Sequence, residues 1–586
     1  MNVHTAPDGA KNDPARIDPT RAAPMGGPSI DPTDREWWRG AVIYQIYPRS
    51  FQDTSGDGTG DLAGIAARMG YIASLGVDAI WVSPFFVSPM EDFGYDVSDY
   101  RDVDPMFGTL HDFDAVIREA HAHGIRVMID LVISHTSDRH PWFEESRTSR
   151  TNPKADWYVW ADPKPDGTPP NNWLSIFGGT AWAWHGGRMQ YYLHNFLTSQ
   201  PDLNFHNPAV QNELLDMVRF WLERGVDGFR LDTINFYFHD RELRDNPPLP
   251  ADQRNVAIAP AVNPYNYQDH IHSKNRPENL AFLERLRSVM DEYPAVAAVG
   301  EVGDAQYGLD LVSQYTAGNE RMQMCYGFDF LSPQPATAPR VREVLERFQN
   351  AAPDSWACWA FSNHDVVRHA SRWGDTIAAG SVRPESDRRS YLRVLLALLL
   401  SLRGSVCLYQ GEELGLTEAE VRFEDLQDPY GKQFWPQFKG RDGCRTPMVW
   451  DDGLANAGFT AAEPWLPIPS EHKRLAVSTQ DHRPGSLLNH YRQILAFRRG
   501  EKALCKGSLV FTDVEVTAGP ADHLLTFERA HENETVLCAF NMGDEELRFS
   551  APPGMTLVLT DHPFASLVTD GHVTLGPFSA FFARMG

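Results

Sequence analysis

The sequence predicts an α/β fold: a parallel (β/α)8 barrel with an insertion after its third strand and an all-β domain at the C-terminus. Three observations predict it. Short β-branched or aromatic runs alternate with amphipathic helical stretches from residue 37 onward. There are eight such runs, the strand number of a closed parallel barrel. Polar residues recur directly after the runs (His135, Asp232, Glu301, His364 and Asp365), where such a barrel carries its active site.

Taken in order, residues 1–35 are rich in Pro, Asp, Gly and Ala and lack an apolar leader, which predicts a disordered arm and no signal peptide. The apolar runs are 41–47, 79–84, 126–132, 228–232, 295–302, 326–330, 356–361 and 405–410, with helical patterns such as 112–123 and 210–224 between them. Residues 136–206 are rich in Trp, Asn, Gly and Pro without a helical period, and read as an inserted domain. Residues 417–473 are a second irregular insertion, after the eighth run. The period Leu488, Tyr491, Leu495, Arg498 closes the barrel, which spans 36–135 and 207–504. From 505 to 586 short alternating strands are separated by the turn signals Asn541-Met-Gly, Pro553-Gly and Asp570-Gly.

Composition narrows the function. A chain of 586 residues needs several domains, and 42% hydrophobic with 22% charged residues is ordinary for a globular protein. The net charge of -25 argues against nucleic acid or an acidic membrane surface as partner. No apolar run is long enough to span a bilayer. The six Cys show no metal-ligand spacing, which points to reduced thiols and a cytoplasmic location.

The stretch Val226-Asp-Gly-Phe-Arg-Leu-Asp-Thr-Ile-Asn235 places Arg230 and Asp232 on one strand face, with Phe229 and Leu231 on the other. A charge in an apolar strand is costly unless paired, so Arg230 keeps Asp232 ionised. An ionised carboxylate at a strand end suits nucleophilic attack on a sugar carbon. By itself the strand is better read as a structural ion pair.

The remaining motifs change that balance. Ala41-Val-Ile-Tyr-Gln-Ile-Tyr-Pro-Arg-Ser-Phe51, Asp130-Leu-Val-Ile-Ser-His135, Gly228-Phe-Arg-Leu-Asp232, Gly300-Glu-Val302 and Phe361-Ser-Asn-His-Asp365 resemble the ordered motifs of the alpha-amylase family, glycoside hydrolase family 13. Gln200-Pro-Asp-Leu-Asn204 is similar to the signature of its oligo-1,6-glucosidase and alpha-glucosidase branch. The resemblance implies a TIM barrel, a domain B at 136–206 and a C-terminal β-sandwich. It implies Asp232 as nucleophile, Glu301 as general acid/base with a raised pKa, and Asp365 as a third carboxylate on the sugar hydroxyls. His135 and His364 would bind those hydroxyls. The pair of nucleophile and acid/base implies retention, with carboxyl groups about 5–5.5 Å apart.

Further positions follow from the resemblance. Asp92-Phe-Gly-Tyr95 resembles the motif in which an Asp binds the terminal glucose and a Tyr stacks beneath it. Arg441 is the chosen partner of Asp92, with Arg445 close enough to leave the assignment open. Sealing that end makes the enzyme trim chain ends. Phe177 and Phe196 resemble residues lining the leaving-group side, although packing of domain B explains either alone equally well. Thr233, where relatives specific for α-1,6 bonds carry Val, leans toward α-1,4 bonds; a hydroxyl for a methyl is worth only about 1–3 kcal/mol. The Arg-rich loop of sucrose isomerases is not evident after the sixth run.

The loop Asp53-Thr-Ser-Gly-Asp-Gly-Thr-Gly-Asp61 alternates oxygen donors with glycines. A solvated acidic turn is the plain reading. The spacing and a similar loop in the family both favour one structural Ca²⁺ or Mg²⁺ on Asp53, Ser55, Asp57, the Thr59 carbonyl and Asp61. No organic cofactor is expected.

The expected activity is a retaining exo-acting alpha-glucosidase on short α-1,4-linked oligosaccharides such as maltose, with transglucosylation as a side reaction. It would act as a monomer or homodimer on small oligosaccharides. An α-1,6-glucosidase or a sucrose-active enzyme is the same-fold alternative. A non-catalytic carbohydrate-binding or transporter-partner protein is the alternative of another class, disfavoured by the presence of all three carboxylates.

Overall fold

The computed structural model describes residues 30–351, 353–374, 385–557 and 567–586. Most of the predicted N-terminal arm lies outside them. Eight parallel strands form the barrel: β1 Val42–Ile46, β2 Ala79–Val82, β3 Arg126–Leu131, β4 Gly228–Leu231, β5 Ala297–Glu301, β6 Met324–Tyr326, β7 Cys358–Trp359 and β8 Ser405–Tyr409. Each pairs with its neighbours in sequence, and β1 pairs with β8. Closure is completed between β6 and β7 by a single parallel bridge, Cys325 to Ala357.

The alternation of each strand sorts its side chains into two cores. Ile43, Trp81, Met128, Val299, Met324 and Cys407 fill the barrel interior, while Tyr44, Ile80, Val127, Phe229 and Leu231 pack outward into the helix layer. Trp37 and Trp38 close the bottom: the Trp37 indole donates to the Ala295 carbonyl at 2.7 Å, and Trp38 meets Trp356 edge-on.

The helices begin where capping chemistry permits. Leu110–Ala122 starts behind a capping box of Thr109 and Asp112, and Pro208–Glu223 behind Asn207 with Pro208 in its first turn. Leu487–Gly500 is capped by Ser486 and packs against the helix Glu385–Leu399. The sixth strand departs from expectation, occupying 324–326 and not 326–330. Gly327 and Asp329 end the extended run early and release Phe328 into the loop above.

Between β3 and β4 the chain forms a small antiparallel sheet, Trp160–Ala161, Trp182–His185 and Gln190–Leu193, over its own core of Trp173 and Trp182. The C-terminal region holds a five-stranded sheet built on Leu524–His531 and Glu534–Asn541 and a four-stranded sheet built on Leu547–Ser550 and His572–Leu575. It is anchored to the barrel by buried Arg529, which donates to the Ser401 and Leu402 carbonyls at 2.6 and 2.9 Å. Charge-assisted bonds of this kind are the stronger class.

Candidate active site

Strand alternation turns Arg230 inward with no solvent exposure. Its Nη1 lies 2.8 Å from Oδ1 of both Asp130 and Asp232, and its Nη2 lies 2.6 Å from Glu301 Oε2. The Tyr326 hydroxyl accepts from Arg230 at 2.9 Å and is 3.2 Å from Glu301 Oε1. The Trp81 ring lies beneath the guanidinium, 4.9 Å away. Three carboxyl groups thus share one cation, so Arg230 holds Asp130 and Glu301 as well as Asp232.

Three ionised carboxylates around one buried cation would leave uncompensated charge out of water, which is prohibitive. Protonation relieves it. Burial pushes the Glu301 carboxyl up to about 8; Arg230 opposes the rise, and Asp232 and Asp365 add to it. Burial also raises Asp130, against the pull of Arg230. Burial alone would weaken the charge on Arg230, but Asp130 and Glu301 hold it protonated.

Thr233 ties the two key carboxyls together. Its N–H donates to Glu301 Oε2 at 3.2 Å and its hydroxyl to Asp232 Oδ2 at 3.0 Å. At φ 39° and ψ 53° it is left-handed, a strained position for a β-branched residue. The short 3-10 turn Ile234–Phe236 that follows holds it, with the Phe236 N–H on the Thr233 carbonyl. Gly300 lets that turn approach: a Cβ there would stand 2.4 Å from Ile234 Cδ1.

The closed end is a second charge network. Asp92 accepts from Arg441 Nη2 at 2.8 Å and from Gln200 Nε2 at 3.1 Å. Arg441 also pairs with Asp428 at 2.8 Å and reaches Asp365 at 3.3 Å. Arg445 instead donates to Asp365 Oδ1 at 2.8 Å and to the His364 carbonyl. The open choice is therefore resolved: Arg441 is the partner of Asp92, and Arg445 that of Asp365.

Burial would raise Asp365, but His364, Arg441 and Arg445 hold it below the usual carboxylate range. The two guanidinium groups carry that effect at neutral pH, since burial depresses His364 to about 3 and leaves its ring neutral. His364 is fixed by Gln45 at 2.7 Å on Nδ1 and by the Tyr95 hydroxyl at 2.6 Å on Nε2. His135 is held by the Tyr95 carbonyl at 2.9 Å and by Ser134. Burial keeps it neutral too.

Asp92, Tyr95, His135, Phe177, Phe196, Asp232, Thr233, Glu301, Asp365 and Arg441 all line one pocket of about 470 Å³. Arg230 and His364 stand behind that wall. Phe177 stacks on Tyr430 at 4.7 Å and Phe196 lies against His135. Sequence reasoning passed over four partners. Asp130 carries the same signal as Arg230, a charge inside an apolar strand. Gln200 stands within the motif 200–204. Tyr326 has no comparable mark, since it meets Arg230 across two barrel strands, and Asp428 meets Arg441 through the irregular fold of the insertion that holds both.

The loop 53–61 lies apart from this pocket. Asp53 accepts from Ser55, Gly56, Gly58 and Thr460, and Asp61 from Thr54, Ser55 and Gly64, capping the helix Leu62–Ala67. Asp57 accepts from the Thr59 N–H. Among the described residues no three His, Cys, Asp or Glu side chains converge as a metal site. The oxygen donors suit a hard cation, and here Asp53 and Asp61 spend their lone pairs on these protein donors.

Comparison with known proteins agrees with the geometry. A family model described as the alpha amylase catalytic domain matches residues 45–507. A probable alpha-glucosidase of Rhizobium meliloti (strain 1021) is 64% identical over 94% of this chain and 98% of its own length. An oligo-1,6-glucosidase of Heyndrickxia coagulans is 36% identical over 88% of this chain and 94% of its own. Among solved structures, the alpha-glucosyl transfer enzyme XgtA superposes with a TM-score of 0.88 at 54% identity, covering 94% of this chain and 99% of that one. The trehalulose synthase MutB of Pseudomonas mesoacidophila MX-45 superposes at 0.82 with 32% identity over the same shares.

Proposed function

The chain belongs to the alpha-amylase family of glycoside hydrolases, and from that premise we propose that it is a retaining, exo-acting alpha-glucosidase on short α-1,4-linked oligosaccharides, with transglucosylation as a second outcome. One observation carries the reading: Asp232 and Glu301 share one guanidinium at the base of a pocket whose far end is sealed by Asp92 and Arg441.

In this reading the terminal glucose sits against Asp92, Tyr95, His135 and Asp365. Asp232 attacks the anomeric carbon while Glu301, kept protonated by burial and its acidic neighbours, donates to the departing oxygen. The glucosyl–Asp232 ester is then opened by water or another hydroxyl, whose proton returns to the Glu301 carboxylate. Thr233 positions both carboxyls and supports the α-1,4 preference through its hydroxyl.

The oligo-1,6-glucosidase relative and the trehalulose synthase neighbour favour a second reading, activity on isomaltose or sucrose. An NMR time course with maltose, isomaltose and sucrose together decides between them. Fast loss of maltose with α-glucose appearing first supports the first reading; preferential loss of isomaltose or sucrose replaces it.

Three smaller proposals accompany it. A cytoplasmic location is supported by six free cysteines and is tested by cell fractionation; among the described residues no helix is long and apolar enough to cross a membrane. A monomer or homodimer is tested by light scattering. A structural Ca²⁺ or Mg²⁺ at Asp53, Ser55, Asp57, Thr59 and Asp61 is supported by the donor spacing and the family's similar loop, and would have to displace the hydrogen bonds these side chains make. A melting temperature lowered by chelator supports the ion, and an unchanged curve removes it.

A further inference from the structure

Beyond the carboxyl pair the wall of the pocket changes character. One side is the segment Val256-Ala-Ile-Ala-Pro-Ala261, six consecutive residues without a side-chain donor or acceptor, and Phe328, Val366 and Val367 also line the pocket. The segment turns much of its own backbone away. The Ala257 N–H donates to Asn255, the Ala259 and Pro260 carbonyls accept from Asn266 at 2.9 and 3.0 Å, and Pro260 has no N–H.

Arg372 also lines the pocket, and its guanidinium donates to the Val367, Phe330 and Phe361 carbonyls. Val256 and Val367, both in the lining, are 44% and 39% exposed. Large apolar side chains left in water together mark a binding surface.

We propose that this side of the pocket takes an apolar alcohol, alkyl or aryl, in preference to a second sugar, and that the enzyme transfers glucose to such alcohols. The inference rests on the retaining alpha-glucosidase reading and deepens it. A second sugar would bring several hydroxyl groups out of water against methyl groups that cannot replace their hydrogen bonds. An apolar alcohol brings one hydroxyl, which Glu301 receives, and buries the remainder at a gain proportional to its apolar area.

The step balances without any further reactant. The alcohol oxygen attacks the anomeric carbon of the glucosyl ester, the bond from that carbon to the Asp232 oxygen breaks, and its electron pair returns to the carboxylate. The hydroxyl proton passes to Glu301. Water competes for the same ester by the same step.

The test is a competition between benzyl alcohol and glucose at equal concentration, with whichever of maltose, isomaltose, sucrose or 4-nitrophenyl α-glucoside the enzyme cleaves as donor. Benzyl α-glucoside should exceed glucosyl-glucose by more than about tenfold, the range one well-placed apolar group commands. Val256→Ser, on the exposed rim, and Ile258→Asn, within the wall, should each move that ratio toward one while melting temperature is followed separately. A ratio at or below one with a cleaved donor overturns the proposal and leaves the glucosidase reading standing. A ratio unmoved in Val256→Ser and in folded Ile258→Asn overturns its assignment to this wall. Failure to cleave any of the four donors overturns both.

Discussion

The two ends of the pocket are built on opposite principles. At the closed end charged and polar side chains pair with one another: Asp92 with Arg441 and Gln200, Asp365 with both arginines, His364 with Gln45 and Tyr95. At the open end methyl and phenyl groups predominate and exposure rises. The difference teaches where selectivity is stored. A matched polar site rejects a wrong ligand strongly because its groups are left unpaired, whereas an apolar wall discriminates weakly by size. Glucose is therefore specified at one end and its partner only loosely at the other.

The largest expected effect comes from breaking the polar base. Asp232→Asn should lower kcat by about 10⁴-fold or more while circular dichroism and melting stay near wild type; substantial remaining turnover would unseat the nucleophile. Arg230→Met should instead damage the fold, by about 3–5 kcal/mol in a denaturant titration, since Asp130, Asp232 and Glu301 lose their shared cation. A shift below about 1 kcal/mol would mean the carboxyls manage without it.

Glu301→Gln should cost about 10²–10⁴-fold with maltose and far less with a nitrophenyl leaving group, which needs little protonation. The pH profile sharpens the same point. Glu301 must be protonated to act, so kcat/KM should fall as pH rises through about 8, a limb absent in the Gln variant. The stability linkage has the same sign. A folded-state pKa above the unfolded value adds stability that is fully present below the unfolded value and lost as pH rises toward about 8.

The smallest effect is expected at the junction of the two ends. Thr233→Val deletes the hydroxyl on Asp232 and should change the ratio of maltose to isomaltose cleavage by about 1–3 kcal/mol in transition-state terms. An unchanged ratio would remove Thr233 as selector and leave linkage preference to the apolar wall.

Much of this molecule was legible in its chain because strand alternation and motif order are local properties. The barrel strands and the carboxyls at their ends follow from runs of a few residues, and so do the helical stretches 112–123 and 210–224. What escaped depends on tertiary or irregular folding. Asp428 pairs with Arg441 through the non-periodic fold of the insertion after β8 that holds both, and Tyr326 reaches Arg230 only because β6 lies two strands away around the barrel. The sixth strand was displaced because aromatic content alone suggested extension through Phe328 and Phe330, while Gly327 set the real limit. The segment 256–261 carries no motif, and its apolar character acquires meaning only when it is seen lining the same pocket as Glu301.

The single bridge between Cys325 and Ala357 has a mechanical consequence. Every other neighbouring pair around the barrel is joined by a longer ladder, from the two paired positions of β7 with β8 to the four of β1 with β2. A cylinder with one thin seam breathes along that seam, so the amides of β6 and β7 should exchange with deuterium sooner than those of β1 to β5. Phe328 and Leu331 follow β6 and Asp365 follows β7, so the compliant seam carries part of the apolar wall and one carboxylate of the glucose cradle, while Asp92, His135 and Asp232 hang from the stiffer strands.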